Sequence, residues 1–463
     1  MVRASRSTPP TRPAVLIAAT HSGAGKTTAT AVVLRALRRR GLAVQPFKLG
    51  PDFIDPMYHA EATGTPSINL DLWLMGAAGV RRSFRRWSRP ADISVIEAMG
   101  ALYDGADGTE RGSAAHLAKV LDVPVIVVLD VWGMTRTAGA ILAGLAGFDP
   151  DLRIAGYLLN RVGSDKHAQL VIDALPKQHR ELVLGAIPHR PELAIPERHL
   201  GLLTVAENPT SAAARDEAFQ QAAERLDVDR LCRLAGVGTQ RPARPPKRRR
   251  TTAPTARLAV ARDPAFCFYY RENLLLLRDA GFELVEFRPT ADRRLPAGVD
   301  AVYLGGGYPE SFAAELAANR SLAAELRDRA AAGMPVYAEC GGLIYLGRSL
   351  TVHTGQRHRM AGVLPLDVVM DPAHLAIRYV TVRTRRRSPL GGPATTARGQ
   401  EFHQSRIVRA DLEPDLYEVT TSDGQRYRDG YLHRNVVASY LHLHFGSNRA
   451  IVSNLLAAAR SAA

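Results

Sequence analysis

Short apolar runs rich in β-branched residues alternate twice along the chain with stretches of helical periodicity, and this alternation constrains the fold more than any other feature. The first series is AVLIAAT, GLAVQPFKLG, ADISVIEA, VPVIVVLD, RIAGYLLN and LVLGAIP. It predicts parallel strands joined by crossover helices. Strands covered by helices on both faces need no polar side, so they read as nearly continuous apolar runs. A basic, Pro-rich stretch, RPARPPKRRRTTAPTA, then breaks the pattern. It lacks hydrophobic periodicity and reads as a linker. The alternation restarts with RLAVARD, FELVEFRP, DAVYLGGG and PVYAEC, whereas YVTVRTRRR and DLYEVTTSDG read as antiparallel hairpin material. No repeat of 20–50 residues is present. A chain of 463 residues is too long for one core. The expected division is a disordered tail over 1–13, a first domain over 14–235, a linker over 236–256 and a second domain over 257–463.

Charge and cysteine content narrow the function classes. The formal net charge is +15, mostly from arginine. The arginines are dispersed and no recognition module accompanies them, which argues against a nucleic-acid partner and for a small substrate rich in carboxylates or phosphates. The cysteines are Cys232, Cys267 and Cys340; their scatter excludes a closed disulfide framework and implies a reducing compartment. The opening MVRASRSTPPTRP is basic and Pro-rich, and the apolar AVLIAA after it is too short for a signal sequence. No run approaches membrane-spanning length. A cytoplasmic protein without a membrane partner is expected.

The first strand runs directly into THSGAGKTT, followed by the helical ATAVVLRALRRRG. A glycine-rich turn between strand and helix aims consecutive N–H groups into a concavity at the positive end of a helix dipole, which favours phosphate. Ser22, Gly23, Gly25, Lys26, Thr27 and Thr28 are thus candidate ATP-binding residues, with Lys26 reaching the outer phosphates and the Thr27 hydroxyl ligating magnesium. The first glycine of GxxxxGK[ST] is Thr20 here. Loops at the carboxyl ends of parallel strands converge on one crevice. FKLGPDFIDPMYH follows the second strand and VIEAMGALYDG the third. Asp52 and Glu97 therefore join Thr27 as expected Mg2+ ligands, and Lys48 is placed to neutralise phosphate charge. Asp55, Tyr58, His59 and Asp104 fall in the same region as substrate-side candidates. Asn160, at the end of another strand, is placed to read a base edge. The expected fold class is α/β, an N-terminal P-loop parallel sheet with helices on both faces followed by a mixed α/β domain.

In the second half, VYAECGG sets one cysteine between an acidic residue and two glycines. An apolar strand broken by Gly341 and Gly342 before LIYL is a strand turning sharply into a helix, a geometry that exposes a nucleophile beside backbone N–H groups. Inert burial of the Cys340 thiol is the other reading. Its partners decide between them. SYLHLHF supplies His442 and His444, and a thiol needs a base that may lie far away in sequence. YLGGGYPE forms a second strand-to-glycine turn, making Gly305, Gly306 and Gly307, with Gly341, candidates for an oxyanion hole.

ECGG, YLGGGYPE and SYLHLHF together resemble a class I glutamine amidotransferase domain of the cobyric-acid type. SGAGKTT, KLGPDFIDPMYH and NRVGSDKH are similar to the dethiobiotin-synthetase-like ATP-binding domain. With PERHLGL, DPAFCFYYREN and EFH, the resemblance is to the cobyrinate (or hydrogenobyrinate) a,c-diamide synthases of cobalamin biosynthesis and covers nearly the whole chain. It implies a ligase that uses ATP, Mg2+ and L-glutamine to amidate two carboxylates of a corrin. Cys340 is then the glutaminase nucleophile and His442 its base. Ordinary class I enzymes place a glutamate two residues after that histidine; here the position is His444, so a Cys–His dyad is expected. Further departures are the sequence after Glu97, Arg378 in place of a glycine and Gln400 in place of a histidine. A nickel-sirohydrochlorin a,c-diamide synthase, a cobyric acid synthase and, from another class, a nucleotide-dependent switch ATPase remain alternatives. A homodimer is compatible with this reading.

Overall fold

The structure, a computed structural model, describes residues 12–196, 203–205, 207–208, 210–238 and 254–462. Most of the expected tail, the centre of the linker and most of PERHLGL lie outside the described residues. The described residues fall into two units, one within Met1–Leu72 and Gly76–Pro246, the other within Trp73–Met75 and Lys247–Ala463.

The first unit is built on seven parallel strands: β1 (Ala14–Ala19), β2 (Val44–Leu49), β3 (Ile68–Leu70), β4 (Ile93–Glu97), β5 (Val125–Asp130), β6 (Ile154–Val162) and β7 (Val183–Pro188). Their order is β3-β2-β4-β1-β5-β6-β7. Every residue of β1 is buried. Val15, Ile17 and Ala19 share a cluster with helix α1 (Lys26–Arg39) and the helices Ala212–Ala223 and Val228–Ala235, while Leu16 and Ala18 are equally buried on the opposite face. This two-sided burial is what the apolar runs encode. The order reverses beside β1, so the loops leaving β1, β2 and β4 gather at one switch point. Only β3 escapes the sequence reading. Three residues carry too little pattern to be seen, and the edge is held instead by the Asn69 amide, which donates to the Gly50 carbonyl (2.9 Å) and the Asp52 carbonyl (2.7 Å).

In the second unit β8 (Ala256–Ala261), β9 (Phe282–Phe287), β10 (Ala301–Leu304) and β11 (Val336–Glu339) are parallel. Strand Val436–Ser439 extends the sheet in parallel beyond β11, and Tyr431–His433 closes it antiparallel. Alternate residues feed different cores: Val302, Leu304 and Ala338 one cluster, Ala301, Tyr303 and Tyr337 the other. The second cluster is shared with a five-stranded antiparallel sheet formed by Arg426–Asp429, Tyr417–Thr421, Ala376–Thr384, Thr396–His403 and Leu441–His444. The mixed architecture follows from the sequence, but the crossing does not. At Tyr440 the chain leaves the parallel sheet for the antiparallel one, and this brings His442 beside the end of β11.

Candidate functional site

In the first unit the loop after β1 turns through Gly23 and Gly25, with φ of 82° and 86°. These left-handed conformations strain any residue with a Cβ. A Cβ on Gly25 would also lie 2.1 Å from Asn160 Nδ2, because that amide donates to the Ala24 carbonyl (2.9 Å). Asn160 thus braces the loop, and its nitrogen is committed there instead of reading a base. Lys26 Nζ donates to the His21 carbonyl at 3.2 Å; burial, and then the neighbouring Lys48, lower its pKa. Ser22 is exposed. The Thr28 hydroxyl donates to the Leu193 carbonyl (3.2 Å).

Glu97, at the end of β4, is fully buried and organises the charged cluster. Its Oε1 accepts from Thr27 Oγ1 and Lys48 Nζ, both at 2.9 Å. Its Oε2 lies 2.6 Å from His59 Nε2, whose other nitrogen meets the Ser67 hydroxyl at 3.0 Å. Burial alone would raise the Glu97 carboxyl, but Lys48 and then His59 outweigh it and hold the group well below the usual carboxylate range. Burial likewise opposes the charge on Lys48, yet Asp55 and Glu97 raise its pKa above the ordinary value. Asp55 pairs with Lys48 and accepts from Thr27 Oγ1 at 3.4 Å.

Asp52 stands beside this cluster, its charge acting on both Lys48 and Asp55. Asp52 Oδ1 accepts from the Ile54 and Asp55 amides at 2.6 and 3.0 Å, the turn by which an aspartate starts a helix. Asp55, read from sequence as a substrate-side residue, faces Thr27 alongside Glu97. His59 is wholly buried against Glu97, so it orients that carboxylate; it does not line a substrate surface. Tyr58 donates to the Leu203 carbonyl (2.8 Å), and Asp104 is exposed, outside the cluster. Among the described residues no three His, Cys, Asp or Glu side chains form a metal cage. The hydroxyl of Thr27 with the carboxylates of Asp55 and Glu97 is a hard-oxygen set that fits magnesium once nucleotide oxygens complete the coordination.

In the second unit Cys340 caps the helix Gly341–Leu346 with φ 47° and ψ −102°, a strained conformation costing on the order of 1–3 kcal/mol. The surroundings enforce it. The Cys340 amide donates to the Ser439 carbonyl (2.8 Å), and its carbonyl accepts from the Ile344 amide (3.0 Å). A Cβ on Gly342 would strike the Leu304 carbonyl at 2.4 Å. Gly306 lies between the two halves of the site: a Cβ there would stand 2.3 Å from His442 Cε1, while one on Gly341 would stand 3.1 Å from Gly307 N. The oxyanion candidates divide. Gly305 N–H donates to Tyr269 Oη (2.8 Å) and Gly306 N–H to the Phe268 carbonyl (3.3 Å), so both are already engaged. Gly307 and Gly341, side by side, are the pair with the matching placement.

Cys340 and His442 are both buried. Burial, and then the Glu310 carboxylate, push the thiol up to about 12. Burial, and then His403, bring His442 down to about 3. The resting pair is therefore a neutral thiol and a neutral imidazole, the form in which the imidazole can accept a proton. Iodoacetamide at pH 7.5 is expected to alkylate Cys340 at least about tenfold more slowly than a small free thiol, since scarcity of thiolate outweighs its greater nucleophilicity. Peptide-resolved mass spectrometry measures this, and faster alkylation would show a resting thiolate instead.

One group of neighbours was unrecognised from sequence. Cys340 Sγ lies 3.7 Å from the Phe402 carbonyl, and His403 stacks on Tyr440 with ring centroids 3.8 Å apart. Glu401 holds His403 Nε2 at 3.0 Å and pairs with Arg378 at 2.8 Å. Sixty residues separate EFH from the cysteine, so spacing carries no signal. Gln400 pairs with His442 across antiparallel strands. His444 is buried near Tyr270, and burial lowers it to about 4.

Residues 15–203 match the CobQ/CobB/MinD/ParA nucleotide binding domain, and residues 257–450 match the CobB/CobQ-like glutamine amidotransferase domain. Fold and sites thus define a nucleotide-binding domain and a glutamine amidotransferase domain in one chain. A cobyrinate a,c-diamide synthase of Syntrophotalea carbinolica is 39% identical over 440 residues, covering 94% of this chain and 96% of the relative. Those of Synechococcus sp. and Listeria monocytogenes are each 39% identical, over 457 and 451 residues, covering 97% and 96% of this chain and 99% of each relative. With likeness of this extent, the chain belongs to the cobyrinate a,c-diamide synthase family.

Proposed function

We propose that the protein amidates the a and c side-chain carboxylates of cobyrinic acid or hydrogenobyrinic acid in cobalamin biosynthesis, using ATP and the amide nitrogen of L-glutamine. The observation that carries this reading is the pairing, in one chain, of the glycine loop and its Thr27, Lys48, Asp55 and Glu97 cluster with a Cys340 elbow and a His442 ring that both adjoin the Gly306–Gly307 turn. A free carboxylate is too poor an electrophile for ammonia. The loop amides and Lys26 hold the ATP phosphates, and Lys48 offsets charge as the γ-phosphoryl group passes to a substrate carboxylate and ADP leaves. Thr27, Asp55 and Glu97 would hold magnesium, which when bound neutralises charge on the transferring phosphoryl oxygens. Ammonia attacks the acyl phosphate, giving the amide and phosphate.

The ammonia comes from the second unit. Cys340 gives its proton to His442 as Sγ attacks the glutamine amide carbon; the C–N bond breaks and the proton leaves with ammonia. Water then hydrolyses the thioester to glutamate and restores the thiol. Gly307 and Gly341 N–H groups suit the developing oxyanion.

Mass spectrometry after incubation with magnesium-ATP and glutamine tests the substrate. Two carboxylate-to-amide conversions are expected on cobyrinic or hydrogenobyrinic acid. Amidation of nickel sirohydrochlorin alone would move the assignment to that ring, and ATP turnover with no amidation of any ring would point to a switch ATPase.

A further inference from the structure

The position two residues after His442, where ordinary class I glutaminases place a glutamate, is occupied here by His444, yet a buried carboxylate approaches the same imidazole from another part of the chain. Glu339 ends β11, immediately before the cysteine, and is 1% exposed. Its Oε2 lies 4.0 Å from His442 Nδ1. We infer that Glu339 is the positioning acid of the glutaminase, completing a Cys340–His442–Glu339 constellation. The inference rests on the glutaminase reading given above.

The hydrogen bonds around Glu339 fix its orientation and favour its ionised form. Oε1 accepts from Tyr337 Oη (2.6 Å) and from the Leu443 amide (2.9 Å), and Oε2 accepts from Tyr303 Oη (2.8 Å). An amide N–H can only donate, and an ionised carboxylate can only accept, with about four lone-pair sites on its two oxygens. Three sites are filled, and the side of Oε2 toward Nδ1 is left to the imidazole. Burial raises the carboxyl and these same donors oppose the rise, leaving it at about 7. The Leu443 amide has a second consequence: it ties the residue after His442 to the residue before Cys340, locking base and nucleophile in register.

At 4.0 Å the contact is an electrostatic one, longer than a hydrogen bond; catalytic hydrogen bonds in ligand-free sites are often long and tighten when substrate arrives. When Cys340 passes its proton to His442 Nε2, positive charge develops on a fully buried ring. A carboxylate on the Nδ1 side stabilises that charge and selects the tautomer whose Nε2 is free to accept. This is a positioning role, acting through His442 and touching neither glutamine nor the thiol. The dyad expected from the sequence thereby gains a third member from a different strand.

Steady-state kinetics of Glu339→Gln in the full-length protein test the inference. The amide keeps the shape and can still accept from Leu443, but it presents no negative charge to Nδ1. With glutamine, kcat is expected to fall by about 10²–10⁴-fold while the KM for glutamine stays within about threefold. Ammonia-supported amidation is expected to remain. Glu339→Asp keeps the charge at a greater distance, and its kcat is expected between the two. A Glu339→Gln kcat within threefold of wild type overturns the inference. So does a joint loss of glutamine- and ammonia-supported activity with a lowered melting temperature in both variants, since that marks a packing role. His442→Asn separates this failure from failure of the parent reading: if it still hydrolyses glutamine, His442 is not the base, and if the wild type releases no glutamate from glutamine, the glutaminase reading itself is wrong.

Discussion

Cys340→Ala is expected to lower glutamine-supported amidation by at least about 10³-fold, the scale on which removing a covalent nucleophile acts, while ammonia-supported amidation stays within about threefold of wild type. The local geometry makes this a clean substitution. Alanine keeps the Cβ, so the backbone at φ 47° carries the same strain before and after, and the backbone hydrogen bonds to Ser439 and from Ile344 are untouched. Only the thiol and its 3.7 Å contact with the Phe402 carbonyl are lost. Amide formation followed by mass spectrometry with each nitrogen donor reads the split. A variant that still uses glutamine would remove Cys340 from the chemistry.

Glu97→Gln is expected to give the complementary result: amidation from glutamine and from ammonia fall together, by about 10²-fold or more. Thr27, Lys48 and His59 all converge on this one carboxylate, and the amide carries no charge to hold Lys48 or to contribute to a magnesium site. Electrostatic groups aimed at a transferring phosphoryl act strongly in such a buried setting. Lys48 retains Asp55, so the fold should lose less than the roughly 3–5 kcal/mol typical of a buried pair broken outright. A thermal melt distinguishes the two effects. Near-wild-type amidation from ammonia would exclude Glu97 from the ATP half-reaction. Glutaminase activity measured alone, as glutamate released, identifies which half-reaction each substitution removes.

Much of this organisation was legible in advance. Six of the seven strands of the first unit and all four leading strands of the second are legible as short strand runs, most of them because a strand buried on both faces is apolar along its length; β9, at the sheet edge, keeps Glu283 and Glu286 exposed. SGAGKTT is legible for a related reason: a phosphate cradle is made by consecutive residues, so its geometry is local. VYAECGG is legible because a strained elbow must be followed by residues without side chains, and Gly342 shows why, with the Leu304 carbonyl where its Cβ would be. The charged clusters are different. Whether Asp52 or Asp55 faces Thr27 depends on which one starts the helix after β2, three residues apart in an acidic loop that both fit by composition. The same holds for the amides of Gly305 and Gly306, engaged by Tyr269 and Phe268 from a separate turn.

The sequence by itself determined two α/β domains, the phosphate loop and the cysteine elbow, because each depends on neighbours within a few residues. Tertiary structure alone decided the partners: Asp55 beside Glu97, and Glu339 behind His442. Those pairings arise where β11 and the strand Leu441–His444 meet, and where β2 and β4 end side by side. A side chain's charge and hydrogen bonds are set by whatever the fold brings within about 4 Å, and sequence separations of about a hundred residues, as between Glu339 and Leu443, leave no periodic trace of that meeting.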